Sequence, residues 1–299
     1  MTDTKAAQAL RALGHDPHLP TAQLAGSMSQ SGVYGVHVDG QDAVLKVTAA
    51  DEEQHLARRE LTFYRTLAGT VPVPTPTLLD SIDTDELTAL LLTARGTRRH
   101  AAKWRDSDWL LAAGQLAALH STVVPDRPRW RTGDSWLQRL LAKPPTRAVV
   151  DYWDSTPAAA AARRGLADTE ALARAINALP ECLVHGDCHA DNLLQDDGDI
   201  IWIDWQGVHI GNPAGDLSFL WSRANADGAT LPRDAMLAEY LSHRPVDALL
   251  MRRSLIANEL ALSLYGWPEY GHLHTPDERQ QITQRVIDLE HAWQESPAE

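Results

Sequence analysis

The stretch from His185 to Asp204 limits what this chain can fold into more than any other. It reads His185-Gly186-Asp187-Cys188-His189-Ala190-Asp191-Asn192, then Leu193-Leu194, the polar turn Asp196-Asp197-Gly198-Asp199, and the apolar run Ile200-Ile201-Trp202-Ile203 closing on Asp204. One aspartate sits in a loop, an asparagine follows five residues later, and a second aspartate ends an apolar strand twelve residues beyond that. His-Gly-Asp alone reads as a turn between short strands. The addition of Asn192 and Asp204 makes it a constellation.

Phosphoryl transfer needs those three groups at such places. One carboxylate accepts the proton of the attacking hydroxyl, while an amide oxygen and a second carboxylate hold the magnesium that neutralises charge on the transferring group. On this reading Asp187 is the base, and Asn192 and Asp204 are metal ligands. His185 has a structural role near the loop, and His189 packs there or approaches phosphate. Neither histidine suits magnesium, which prefers oxygen.

At these residues the chain resembles the aminoglycoside phosphotransferase family, the choline-kinase-like or protein-kinase-like small-molecule kinases. In that family His-Gly-Asp-x-His-x-x-Asn replaces the His-Arg-Asp loop of protein kinases, and Ile-Asp-Trp or Ile-Asp-Phe replaces Asp-Phe-Gly. Both signatures stand here in order. Gly186 occupies the place of the loop arginine that serves an activation-segment phosphate, so regulation of that kind is not expected. The resemblance implies an α+β, two-lobed protein-kinase-like fold, with a small β-rich N-terminal nucleotide-binding lobe over residues 1–95, a hinge at about 93–96, and a mostly helical C-terminal lobe over 97–299. It also implies ATP or GTP and Mg²⁺ as cofactors. Asp216 matches a family aspartate that ties the segment after Asp204 to the catalytic loop, and a plain N-cap of the helix that follows is equally compatible.

Outside the signature, Lys46 is the sharpest residue. It lies in the apolar run Ala43-Val44-Leu45-Lys46-Val47, where an unpaired ammonium is costly to bury. Glu60, fourteen residues on along a helix-like segment 51–67, is the first candidate partner, with Glu52 and Glu53 as rivals and a solvent-facing strand edge as the bland alternative. A lysine tied to a helix carboxylate and to nucleotide phosphates is the small-lobe arrangement of kinases. The small-residue turn 26–32 places Ser27 and Ser29 where amides and hydroxyls can cover phosphates, although it matches neither Gly-x-Gly-x-x-Gly nor a Walker A loop. Thr93 and Arg95 mark the hinge, where backbone groups meet the purine.

Periodicity and turn signals supply the frame. A helix is predicted over 4–13, strands over 24–27, 33–38, 43–47, 78–82 and 87–93, and an extended path over Val71-Pro72-Val73-Pro74-Thr75-Pro76. A helix capped by Asp106 or Ser107 runs to Thr122 and carries His120, read as a buried packing residue. Two or three helices fill 134–179. Further helices are expected over 232–243, 246–265 and 276–294, together with two short hairpins in the large lobe.

With 27 Lys+Arg against 40 Asp+Glu the formal charge is −13, which repels phosphate backbones and anionic membranes and attracts cations. Nucleic acid and membrane are therefore not expected, and no obligate protein partner is evident in the sequence. Two cysteines make neither a disulfide framework nor a zinc site, and the N-terminal residues lack a signal-peptide pattern, so a cytoplasmic location is expected. The acceptor is read as a cationic, hydroxylated small molecule, an aminoglycoside or basic-peptide antibiotic whose phosphorylation confers resistance. Asp227, Glu259, Trp267 and Tyr270 are the candidate acceptor residues, since carboxylates beside aromatic faces suit such a ligand. Glu259 stands out because it lies in the apolar run Ile256-Ala257-Asn258-Glu259-Leu260. A metabolic kinase for choline, sugars or amino alcohols is the alternative, and a catalytically silent nucleotide-binding module is the third reading.

Overall fold

The structure is a computed structural model that describes residues 4–24, 32–50, 53–131, 136–272 and 275–296. The chain forms two compact units, one from Met1–Arg99 with Asn192–Val208, the other from His100–Asp191 with His209–Glu299.

The first unit is built on a five-stranded antiparallel sheet. Its strands are β1 (Thr21–Gln23), β2 (Gly32–Val38), β3 (Gln41–Ala49), β4 (Leu78–Asp83) and β5 (Leu87–Thr93), in the order β1-β2-β3-β5-β4. Asp39 and Gly40 make the two-residue β2–β3 turn with φ of 50° and 81°, the left-handed pair that matches strand twist and that Asp-Gly supplies at little cost. β3 alternates, burying Ala43, Leu45 and Val47 on one face and leaving Lys46 on the other. Helix α1 (Lys5–Ala12), capped by the Thr4 hydroxyl, buries Ala6, Ala9 and Leu10 in the core that holds Leu45, Val47 and Leu91. Helix α2 (Gln54–Thr66) buries Ala57, Glu60, Leu61, Phe63 and Tyr64.

The same unit holds the hairpin Leu193–Asp196 with Asp199–Trp202, turned by Asp197 and Gly198 at φ 48° and 90°. The proline-rich stretch lies outside helices and strands, bends over residues 71–73, and its Pro74 carbonyl accepts the Trp202 N–H at 2.8 Å. Trp205 stacks on Phe63 of α2 with ring centroids 4.0 Å apart and planes 11° apart. Two buried aromatic rings thus fix the backbone that presents Asp204.

The second unit is helical. Its helices are α3 (Asp106–His120), α4 (Arg127–Trp130), α5 (Trp136–Leu141), α6 (Arg147–Asp154), α7 (Ala159–Ala167), α8 (Thr169–Ile176), α9 (Pro213–Ala226), α10 (Arg233–His243), α11 (Ala248–Ala261) and α12 (Pro276–Glu295). Its core gathers Trp153, Leu172, Ile176, Leu260, Leu264, Val286 and Trp293. Cys182–Val184 pairs antiparallel with His209–Gly211.

Several sequence expectations are corrected. The first strand among the described residues is Thr21–Gln23; of the expected strand over 24–27 only Leu24 is described, and it lies just past that strand. The helix expected over 246–265 ends its α-geometry at Ala261, passes through a π-helical turn Leu262–Gly266, and closes as a 3₁₀ turn Trp267–Tyr270 in which Pro268 interrupts the ladder. Of the two expected large-lobe hairpins, one belongs with the first unit, and the other is a pair of strands distant in sequence. α3 starts on Arg105, whose N–H is accepted by Asp108 at 3.0 Å, so Asp108 takes the terminal role expected of Asp106 or Ser107.

Candidate active site

In the first unit, β3, α2 and the segment after the hairpin converge on three charges. The Lys46 ammonium donates to Glu60 Oε2 at 2.6 Å and to Asp204 Oδ1 at 2.9 Å. The lysine side chain is 12% exposed and Glu60 is 1% exposed, against 36% for Asp204. Burial pulls the lysine pKa down, yet Asp204 and then Glu60 outweigh it, so the ammonium is held charged. Glu60 is occupied further: its Oε1 accepts the Trp205 N–H at 3.3 Å. Glu52 lies outside the described residues, and Glu53 stands at the N-cap of α2. Asp204 itself sits in the left-handed region, at φ 64° and ψ 62°, a conformation that aspartate tolerates better than most side chains. The turn aims its carboxylate at the lysine while leaving part of it exposed. Asn192 ends a 3₁₀ turn at 5% exposure, and its carbonyl accepts the Ile203 N–H at 3.0 Å, next to Asp204 in the chain.

The donor set fits a hard cation held with phosphate oxygens. Asp204 offers a partly exposed carboxylate and Asn192 an amide oxygen, and among the described residues no group of three or more His, Cys, Asp or Glu makes a cage. Magnesium keeps waters and substrate phosphates as ligands and needs only one or two protein oxygens of this kind.

Thr93 and Arg95 are tied within this unit. Thr93 Oγ accepts the Thr77 N–H at 2.9 Å, and Arg95 donates from Nε and Nη2 to Asp196 Oδ2 at 3.1 and 2.8 Å. The backbone of Thr97 bonds Gln195 in both directions, at 2.8 and 2.9 Å. Between them Gly96 has φ 65°, and a Cβ there would stand 2.9 Å from that of Leu194. Ser27 and Ser29 lie outside the described residues.

In the second unit the loop bearing Asp187 is anchored from below. Asp216, inside the first turns of α9, accepts the His185 N–H at 2.7 Å on Oδ2 and the Gly186 N–H at 2.9 Å on Oδ1. The cap of that helix is Asn212, which accepts the Ala214 N–H at 2.8 Å with Pro213 as first helical residue, so the capping alternative for Asp216 is set aside. Burial works against the Asp216 anion, but His120 and the Gly186 amide more than compensate and hold its carboxyl below the usual range. His185 Nδ1 accepts the Asp187 N–H at 3.3 Å. Asp187 is 44% exposed, and His189 stands beside it, Nε2 3.6 Å from its carboxylate and Nδ1 3.9 Å from Asp191.

The four acceptor candidates do not form one group. Glu259 is 3% exposed in its side chain, as its apolar neighbours suggest, but its two oxygens receive four hydrogen bonds, from Arg233 at 2.8 and 2.9 Å and from Arg285 at 3.0 and 2.7 Å. Its partners lie 26 residues away on either side, which no local pattern reveals. Asp227 ends α9, and burial pushes its carboxyl up, with Arg223 opposing and the Asp191 charge adding to it. Trp267 lies in the 3₁₀ turn after α11 and packs against the helical core. The Tyr270 side chain is outside the described part of the structure.

Comparison with curated proteins found no match. Among solved structures, a thermostable mutant of aminoglycoside phosphotransferase APH(4)-Ia, in ternary complex with ADP and hygromycin B, superposes with a TM-score of 0.62 at 17% identity, covering 95% of this chain and 96% of that one. A microcompartment-associated aminopropanol kinase gives 0.69 at 19% identity, covering 97% and 95%. A putative fructosamine-3-kinase from Haemophilus somnus 129PT gives 0.60 at 14%, covering 95% and 96%. At these identities the likeness establishes the two-lobed kinase-like fold. The sequence model of the phosphotransferase enzyme family matches residues 21–250, most of the chain and all of the residues that carry the signature, and the chain therefore belongs to that phosphotransferase family.

Proposed function

We propose that this phosphotransferase moves the γ-phosphoryl group of ATP or GTP to a hydroxyl of a small, amine-bearing acceptor, with Mg²⁺. The observation that carries the reading is the Lys46–Glu60–Asp204 set, a buried ammonium between two carboxylates of unequal exposure. Lys46 binds nucleotide phosphate oxygens, oriented by Glu60, which is itself fixed by the Trp205 amide. Asp204 and Asn192 hold the metal, which supplies charge neutralisation when bound. Asp187 accepts the proton of the acceptor hydroxyl, and the Asp216 grip on the amides of His185 and Gly186 fixes where its carboxylate stands.

For the acceptor, the support is the carboxylate content of the second unit around His189, where Asp187 and Asp191 flank the imidazole, together with the formal charge of −13. Aminoglycosides, aminopropanol and fructosamines, the compounds named by the three similar structures, all combine an amine with hydroxyls. We favour a cationic antibiotic as acceptor, which would confer resistance, and assign Asp227 rather than Glu259 to it, because Glu259 is fully engaged by two arginines. The test is nucleotide turnover by the purified chain over a panel of aminoglycosides, basic peptides, amino alcohols and fructosamines, paired with susceptibility of a host expressing it. Turnover on a cationic antibiotic with raised resistance is expected. Turnover confined to amino alcohols or fructosamines would replace the antibiotic reading with a metabolic one, and nucleotide binding without turnover on any acceptor would overturn both.

A further inference from the structure

Behind the loop that carries Asp187, the second unit holds a polar chain from the partly exposed Arg244 to Asp216, of which the proposed chemistry uses Asp216 alone. Arg244 Nη1 donates to the Tyr240 hydroxyl at 3.0 Å. That hydroxyl lies 2.8 Å from His120 Nδ1, and His120 Nε2 lies 3.2 Å from Asp216 Oδ2. Asp216 in turn accepts the amides of His185 and Gly186. Tyr240, His120 and Asp216 are 0%, 2% and 3% exposed, so no member can leave a donor or acceptor to water at low cost.

The direction of the chain follows from its far end. A guanidinium only donates, so the tyrosine oxygen accepts from Arg244 and its proton goes to the remaining neighbour, Nδ1 of His120. Nδ1 is then an acceptor, Nε2 carries the hydrogen, and that hydrogen goes to Asp216. In the opposite tautomer a bare nitrogen would face a carboxylate and the tyrosine proton would have no acceptor. In the imidazolium both Nδ1–H and Arg244 would point at one oxygen. Only the neutral Nε2–H form gives every donor an acceptor.

We propose that Tyr240 and Arg244 are positioning residues for the catalytic loop, holding His120 as the Nε2–H tautomer whose hydrogen is aimed at Asp216, the carboxylate that grips the amides of His185 and Gly186. The inference rests on Asp187 being the base, since it is the residue next to those amides. Burial lowers the His120 pKa and outweighs the hydrogen bond and charge of Asp216, which raise it, with the Arg244 charge adding to the fall, in the same sense as the hydrogen-bond geometry. The other titratable groups bordering the network are His185 and the thiols of Cys182 and Cys188, both pushed up by burial and therefore neutral.

The test combines ¹⁵N NMR of His120 in the full chain with steady-state kinetics. In the wild type, His120 should show the neutral Nε2–H pattern across the range where a free imidazole titrates, near pH ~6.5. Tyr240→Phe removes one donor to Nδ1, and the His120 pKa should rise by about one unit, the worth of a buried hydrogen bond. kcat should fall by up to about tenfold with nucleotide KM unchanged, because Nδ1 can then carry the hydrogen and turn a bare Nε2 toward Asp216. Arg244→Leu, at the partly exposed end of the chain, should give the same direction if Tyr240→Phe fails to fold. An Nδ1–H or imidazolium signal in the wild type, or variants that leave both the His120 titration and kcat untouched, would overturn the proposal. Full turnover by Asp187→Asn would instead defeat the assignment of the base, while the NMR result for His120 would stand.

Discussion

Replacing Glu259 by glutamine separates two accounts of the most deeply buried ionised carboxylate in the second unit. If the carboxylate serves a cationic acceptor, the variant should fold normally and lose acceptor affinity. The geometry points the other way. Arg233 on α10 and Arg285 on α12 each bond both oxygens of Glu259 on α11, and Arg233 also lies 5.0 Å from the Trp221 ring centre. Glutamine keeps the volume but turns one oxygen into an NH₂ that faces guanidinium donors, and it leaves two cations side by side. Removing one partner of a buried ion pair costs about 3–5 kcal/mol. With the arginine side chains 24% and 32% exposed, water relieves part of the repulsion and the lower end, about 3 kcal/mol, is expected. That corresponds to a fall of roughly 6–12 °C in the unfolding midpoint. Tryptophan fluorescence during urea and thermal unfolding measures it directly, since Trp221 borders the set. Burial raises the Glu259 pKa, but Arg233 and Arg285 together bring it below the ordinary value. A depressed carboxylate contributes its stability fully above its unfolded pKa, near ~4.3, and loses it as pH falls through the folded value. The gap between wild type and variant should therefore be full at neutral pH and shrink below about pH 4. An unchanged midpoint with a selectively raised acceptor KM would refute this reasoning and return Glu259 to the acceptor site.

Further expectations concern the proposed chemistry and the link after β5. Asp187→Ala should lower kcat by about 10²- to 10⁴-fold with nucleotide affinity little changed, and retention of half the wild-type kcat would remove it as base. Lys46→Met should weaken productive nucleotide binding, while Asp204→Ala and Asn192→Ala should raise the magnesium requirement. The three act on one set, so the double variants should lose far less than the product of the single losses; turnover surviving in excess EDTA would defeat the metal assignment. Gly96→Ala must carry φ 65° and place a Cβ 2.9 Å from that of Leu194, so it should destabilise the first unit by about 1–2 kcal/mol, read as a lower unfolding midpoint.

How much of this was legible in the chain depends on whether the signal is local. The Asp-Gly hairpin and the strand over 43–47 follow from short-range rules, and both stand in the structure. The pairing of Lys46 with Glu60 was one of three options that helix spacing left open, and the second partner, Asp204, lies 158 residues away. The segment 246–265 looks continuously helical because its apolar spacing is, but its α-geometry ends at Ala261 and a π turn over Leu262–Gly266 follows, which apolar spacing does not signal. The clearest failure was Glu259. Its burial could be inferred from the flanking alanines and leucines, but nothing nearby announces Arg233 or Arg285, and a carboxylate in an apolar run looks available when its partners are out of sight.

The same logic bears on where acceptor specificity is encoded. A carboxylate that selects a cation must be only partly satisfied by the protein, because each hydrogen bond it already accepts is one the ligand would have to displace. Glu259 accepts four and Glu290 is held by Arg164 at both oxygens, so these two buried acids are spent on joining helices, as Asp216 is on the loop amides. Asp187 and Asp191 differ in exposure: their side chains are 44% and 41% exposed, within reach of a ligand, on either side of His189. Asp227 is half-buried, and burial together with the Asp191 charge pushes its carboxyl up, a cost to the anion that a ligand ammonium would offset. Selectivity for amines should accordingly reside in these aspartates on the catalytic loop and at the end of α9. Asp227→Asn should raise KM for a cationic acceptor, by an amount that shrinks with added salt, and leave nucleotide KM unchanged. An equal loss for cationic and neutral acceptors would place the selection elsewhere.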